Sequence, residues 1–186
     1  MTRLLLLLTL PLFLADQLTK SWIAGRFPSP FDPQGYGVEE VVIPGVFWLH
    51  HAANTGMAFG LLNGSAYANY FFTGIYLAAL TFIVVMHRKG AFAGWMSRTA
   101  AALLVSGILG NFTDRLFRSH DSGKLFQGTF LDGYVIDFLK FDFGFWPFNP
   151  WPSFNVADSC VVTAAILLGL STFFEKPPEP SRADAA

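Results

Sequence analysis

Long apolar stretches alternate along the chain with segments that mix polar, glycine and aromatic residues. Four apolar stretches stand out, at residues 4–23, 67–86, 99–117 and 156–174. Each approaches the roughly 20 helical residues that cross a hydrocarbon core about 30 Å thick. The pattern therefore predicts a mainly α membrane protein with four transmembrane helices. Two long segments, 24–66 and 118–155, separate spans one from two and three from four. The first contains EEVVIPGVFWLHHAANTGMAFGLL, where β-branched and aromatic residues alternate with glycines, and it predicts strands and turns at the membrane surface. The second contains GYVIDFLKFDFGFWPFNPWP, which partly alternates; its Trp146 and Trp151, with Phe148 between them, suit an interfacial belt. Together these segments predict a small β-rich subdomain outside the bilayer.

Charge orients this scheme. Residues 87–98 hold Arg88, Lys89 and Arg98, whereas 24–66 offer Arg26 alone as Lys or Arg. The Lys/Arg bias places the short connection in the cytoplasm. Both termini are then cytoplasmic, and the two long segments are extracytoplasmic. Residues 1–175 are expected to form a single integral membrane domain, followed by a disordered, Pro-rich cytoplasmic tail at 176–186. The opening run LLLLLTLPLFLA looks like a secretory leader, but its apolar pattern continues through Trp22 and Ile23, so it is read as a retained first span.

Composition narrows the classes further. Hydrophobic residues make up 53% and charged residues 13%, with a formal net charge of −1, which gives no basis for nucleic-acid binding. The single cysteine, Cys160, rules out an internal disulfide and reads as a small buried hydrophobe. His50 and His51 are adjacent and no HExxH pattern accompanies them, so no metal is expected. No dinucleotide, Walker or GxSxG motif is present, and no cofactor is implied.

Polar groups inside spans are costly and usually mark function. In span one, Asp16 and Lys20 lie four apart on one helix face, where an ion pair that fixes packing is expected. In span three, GNFTDR places Asn111, Asp114 and Arg115 together, and Arg115 beside Asp114 favours the ionised carboxylate. At the mouth of span four, Asn155 is available as an N-cap, which leaves Asp158, one turn inside, in need of its own partner. Upstream, Asp137 sits among Val135, Ile136 and Phe138. Asn54 and Gly56 read locally as a tight turn.

Taken together, ADQLTK at 15–20, VIPGVFWLHHAANTGMAFG at 42–60, GNFTDR at 110–115, GYVIDF at 133–138 and FNVAD at 154–158 resemble the bacterial lipoprotein signal peptidases, the signal peptidase II family. The resemblance implies a membrane-embedded aspartyl endopeptidase of the bacterial inner membrane. It would remove signal peptides from diacylglyceryl-modified prolipoproteins, cleaving before the lipidated cysteine. It places the catalytic pair on Asp137 and Asp158. Asn54, Gly56, Asn111, Arg115 and Asn155 match residues around the family's site, and Asp16, Lys20 and Asp114 match supporting positions. Partners implied are lipid-modified prolipoprotein signal peptides and membrane lipids; nothing in the sequence demands a protein partner, so a monomer is expected.

One departure is the segment 116–132, LFRSHDSGKLFQGTFLD, which intervenes before GYVIDF and reads as an exposed loop. It makes Asp114 and Asp132 rivals of Asp137 for the second acid. Two other classes stand beside the peptidase: a small proton-coupled transporter with Asp158, Asp114 and Arg115 as a relay, and an assembly protein whose polar groups only specify packing.

Overall fold

The computed structural model describes residues 2–33, 35, 37–56 and 67–175. The later part of NTGMAFG and the tail expected at 176–186 lie outside these residues. Among the described residues, four helices and three strands follow one another as α1, β1, β2, α2, α3, β3 and α4. Helix α1 covers Leu10–Arg26 and is extended backwards by a wide π turn at Leu5–Thr9 and a short turn at Thr2–Leu4. Pro11 explains the wide turn: it lacks an N–H and its ring crowds the carbonyl four residues earlier. Strands β1 (Glu39–Ile43) and β2 (Phe47–Asn54) precede α2, Ala68–Arg88. Helix α3 spans Trp95–Phe117, β3 spans Val135–Phe141 and α4 spans Val156–Phe174.

The three strands form one antiparallel sheet in the order β1-β2-β3. The expected mixture of helices with a small sheet is therefore present. Of the helices, α2 and α4 are each long and apolar enough to cross a membrane, with mean hydropathies of 1.7 and 1.8. Helix α1, at 17 residues, is shorter than that, and both α1 and α3 carry inward polar residues: Asp16, Gln17 and Lys20 on one, Asn111, Asp114 and Arg115 on the other.

Helix α3 is the hub of the bundle. Ala100, Ala101 and Ala102 are all fully buried along it, and small residues let helix backbones approach closely where no hydrophobic effect drives them together. Gly110 lets two helices close in: a Cβ there would stand 2.6 Å from Asp16 Oδ2 and 2.9 Å from the Ala157 side chain. Cys160 packs with Ala100, Leu103 and Ala164 between α3 and α4, so it is the buried small hydrophobe expected. The sheet rests on the far end of α1 through a cluster of Ile23, Phe27, Tyr134, Ile136 and Phe138.

Segment 116–132 differs from the exposed loop expected of it. Arg118 and Ser119 are buried, and Arg118 bridges back to Leu125, while residues 126–130 are exposed. The polar composition suggested solvent throughout; the buried start is explained by the ion pair that Arg118 makes.

Candidate active site

Strand register brings the first carboxyl into place. β2 and β3 pair Leu49 with Leu139 and then Ala52 with Asp137, so β2 carries one extra residue across His50 and His51. Such a bulge redirects the strand and the side chains beyond it. Past it, Asn54 lies diagonal to Asp137, within reach on the same face. Asn54 Nδ2 donates to Asp137 Oδ2 at 3.0 Å, and the Gly56 N–H closes back on Asn54 Oδ1 at 3.3 Å. The tight turn expected at Asn54 and Gly56 is thus also part of the site.

The chain returns to this strand just before α4. The N–H groups of Phe138 and Leu139 both donate to the Phe154 carbonyl, at 3.1 and 2.9 Å. This clasp delivers Asn155, which is fully buried, to Asp137: Asn155 Nδ2 donates to Asp137 Oδ1 at 2.7 Å. Asn155 is also the N-cap of α4. Its Oδ1 accepts the Asp158 N–H at 2.9 Å, and Asp158 Oδ2 accepts the Asn155 N–H at 3.1 Å. This reciprocal capping box corrects the expectation that the N-cap reading leaves Asp158 without a local partner. One asparagine therefore binds both carboxyl groups.

Asn111 closes the ring from α3. Its Oδ1 accepts from Lys20 Nζ at 2.9 Å and from Asn155 Nδ2 at 3.2 Å. With that oxygen committed, its amide nitrogen must face Asp158, and it donates to Asp158 Oδ1 at 2.8 Å. Lys20 is itself held at 2.8 Å by Asp16 and at 2.8 Å by Asp114, so the ion pair expected within span one is present and extends to α3. Asp16 also accepts the Ala157 N–H at 2.9 Å, tying α1 to the first turn of α4.

Asp114 and Arg115 part company, which corrects the expected pairing. Asp114 Oδ1 is bound by Arg118, at 2.9 Å to Nε and 2.6 Å to Nη2, and by Gln17 at 3.2 Å. Adjacent residues on a helix point about 100° apart, so Arg115 turns to α2 instead. It donates to the Gly56 carbonyl at 2.8 Å and to Asn69 Oδ1 at 3.0 Å, with Phe72 stacked 4.0 Å from its guanidinium carbon. Arg118, Gln17 and Asn69 were missed from sequence. Asp114 and Arg118 lie four apart, and that spacing was the available signal.

The rivals of Asp137 are placed elsewhere. Asp114 is neutralised by Lys20 and Arg118. Asp132 lines a separate polar cleft with Ser119, His120, Asp121, Gln127, Gly128 and Thr129. Asp137 feels the charge of Asp158. Burial first, and that charge second, push its proton affinity well above the ordinary carboxylate range, with Asn54, Lys20 and Asn155 opposing. The two histidines are accounted for locally. His51 shares a 2.9 Å hydrogen bond with the Tyr134 hydroxyl, and burial lowers its pKa to about 4; His50 meets Ser153 Oγ at 2.8 Å.

A cleft of about 620 Å³ opens over Asp158, lined by Asn54, Pro147, Pro150, Trp151, Pro152, Ser153 and Phe154. Trp151 and Phe154 are shared with an adjoining apolar pocket of about 340 Å³ formed with Phe141, Phe143 and Phe148. Trp146 is 91% exposed, as an interfacial residue would be.

Asn155 offers a test that separates its two bonds. Asn155→Ala removes the cap and should cost about 1 kcal/mol of stability. Asn155→Asp keeps a capping oxygen but sets a third carboxylate beside Asp137, so thermal denaturation should move less than with alanine while activity is lost. Equal activity in the asparagine and aspartate forms would overturn this reading.

This combination of helical bundle, small sheet and buried carboxyl groups has the architecture of a bacterial membrane enzyme. A solved structure so described, determined in meso at 2.3 Å, superposes with a TM-score of 0.70 at 28% identity, covering 95% of this chain and 94% of its own. A second, at 1.9 Å, gives a TM-score of 0.67 at 28% identity, with coverage of 92% and 94%. The signal peptidase (SPase) II family model matches residues 8–174, and the chain belongs to that family. It is thus an integral membrane protease. Among its relatives, a lipoprotein signal peptidase of Psychromonas ingrahamii is 34% identical over 166 residues, 89% of this chain and 82% of the relative. One from Shewanella sp. (strain MR-4) is 29% identical over 173 residues, 92% and 87% of the two chains. The transporter and assembly readings find no support among these proteins.

Proposed function

We propose that this protein is an aspartyl endopeptidase that removes signal peptides from diacylglyceryl-modified prolipoproteins, cleaving before the lipidated cysteine. The observation that carries the proposal is the joint hold of Asn155 on Asp137 and Asp158 at the mouth of α4. Two carboxyl groups facing one buried space cannot both ionise easily, so they share one proton. The ionised member takes a proton from water as that water attacks the scissile carbonyl. The protonated member polarises the carbonyl oxygen and then supplies a proton to the leaving amine. The proton balance closes within the dyad, without a covalent intermediate.

The remaining residues act through this pair. Asn54 and Asn155 hold Asp137, and Asn111 holds Asp158. Lys20, Asp16 and Asp114 fix Asn111. Arg115 fastens the Gly56 turn at the edge of the cleft. The substrate lies as an extended strand in the cleft over Asp158, with its acyl chains left in the bilayer. In this reading α1 to α4 all cross the bacterial inner membrane as one domain over residues 1–175, with both termini cytoplasmic. The site then lies near the extracytoplasmic face, and the enzyme works as a monomer among membrane lipids. Polar residues in α1 and α3 support crossing rather than oppose it, because they are satisfied inside the bundle.

The deciding experiment is a gel-shift cleavage assay on the purified enzyme. Lipidated prolipoprotein should be shortened, the unlipidated form should not, and a chelator should leave the rate unchanged. Cleavage of the unlipidated precursor at the same rate would refute the lipid requirement.

A further inference from the structure

The residues of segment 116–132 solve a problem set by helix α3. A helix ends with four carbonyls that have no intrahelical partner, and within a bilayer no water replaces that partner. Here three of them are met by amides from beyond the helix: the Arg115 carbonyl takes the Gly133 N–H at 3.2 Å, Leu116 takes Leu131 at 3.0 Å and Phe117 takes Phe126 at 2.8 Å. Gly133 is required there, since an added Cβ would collide with the Asp114 carbonyl.

Two of these donors adopt a backbone conformation that bulky residues avoid. Phe126 has φ of 58° and Leu131 of 65°, the left-handed region, which is unfavourable for an L side chain. Such outliers persist where the surroundings impose them and point to a function. The turn aims the Phe126 amide at α3, and its ring is left 74% exposed. Phe130 is 61% exposed, and both rings pack against Phe117 at the helix end, at 5.2 and 5.7 Å.

The tip is also fixed beside α2. Asn69, in the first turn of that helix, donates to the carbonyls of Leu131 at 3.0 Å and Gly133 at 2.7 Å. The same turn carries Tyr70 and Phe71, 62% and 50% exposed, at the start of an apolar surface that runs down α2. The aromatic tip is therefore continuous with a lipid-facing helix and level with its end. The root is fixed as well, since Arg118 is locked to Asp114 and to the Gly123 carbonyl at 2.6 Å.

We propose that segment 116–132 is an interfacial cap on α3, with Phe126 and Phe130 seated among the headgroups and upper acyl chains of the bilayer. The occupant of this surface is lipid. The inference rests on the reading that α2 spans the membrane, and the test separates the two. On a Cys160→Ala background, the full-length chain carries a nitroxide at Phe126→Cys, Phe130→Cys, Leu77→Cys midway along α2, or Asp121→Cys. Each is placed in phosphatidylethanolamine–phosphatidylglycerol nanodiscs, and collisions with oxygen and with a nickel chelate are compared. Labels at 126 and 130 should favour oxygen as the label at 77 does, while 121 favours nickel. If 77 favours oxygen but 126 and 130 behave like 121, the cap is wrong and the span stands. If 77 also favours nickel, the span reading fails and the cap with it. Shielding of 126 and 130 from both reagents would show a protein neighbour in place of lipid and would also overturn the proposal.

Discussion

Asp137→Asn and Asp158→Asn should each lower signal-peptide release by about 10³-fold or more, since each removes one half of the proposed general acid–base pair. Both variants should fold. Asparagine keeps the shape and one acceptor oxygen, so Asn155 retains a partner on each side. What it cannot do is share a proton. Single-turnover cleavage of a lipidated precursor measures the loss, and circular dichroism with thermal denaturation checks the fold. Asp132→Asn, by contrast, should leave cleavage intact, because that carboxyl opens into a different cleft. Cleavage that survives Asp137→Asn but not Asp132→Asn would move the second acid to the inserted segment.

The proposed dyad also sets the expected pH response. In that mechanism activity needs one proton across the pair, so it falls when both members are protonated and again when the shared proton is lost. Burial and then the charge of Asp158 raise the proton affinity of Asp137, so the alkaline limb should lie well above the usual carboxylate range. The sign for stability follows. The folded protein binds this proton more tightly than the unfolded chain, so stability falls as pH rises from the ordinary carboxylate value through the raised one. Asp137→Asn should abolish that slope. Above the raised value it should unfold at no lower temperature than the parent, as expected where a site keeps a strained group for its chemistry.

Much of this was legible because apolar length and buried polar residues are one-dimensional signals. The four helices lie where apolar runs predicted them, and the VIDF pattern named a strand. Asp137 and Asp158 are 21 residues apart in sequence, enough for a loop to bring them together, and the resemblance names them as a pair. Their meeting depends on the clasp of Phe154 on β3, which no local pattern encodes. Arg118 was hidden for a different reason. It lies in a segment whose polar composition reads as solvent-facing, and its burial follows from a tertiary partner, Asp114. The Asp114–Arg115 pair failed through helix geometry, since neighbours in sequence do not share a face.

Lys20→Met tests how far support from α1 reaches into the site. Lys20 is fully buried between Asp16 and Asp114, and removing one partner of a buried ion pair costs about 3–5 kcal/mol, because a charge is left uncompensated. Asp114 keeps Arg118, so the stranded charge is that of Asp16. The double variant Lys20→Met/Asp16→Asn should then regain much of the lost stability, since asparagine can still accept the Ala157 N–H without a charge. Cleavage should not return with it. Lys20 also donates to Asn111 Oδ1, and without that bond the Asn111 amide is free to turn its oxygen toward Asp158. In the proposed mechanism Asp158 then loses a donor and faces an acceptor, so kcat of the double variant should be lowered at least about tenfold with KM little changed. A double variant that recovered stability and rate together would reduce Lys20 to a packing element. A lowered kcat at unchanged KM on a stable fold would make it a positioning residue acting on Asp158 through Asn111.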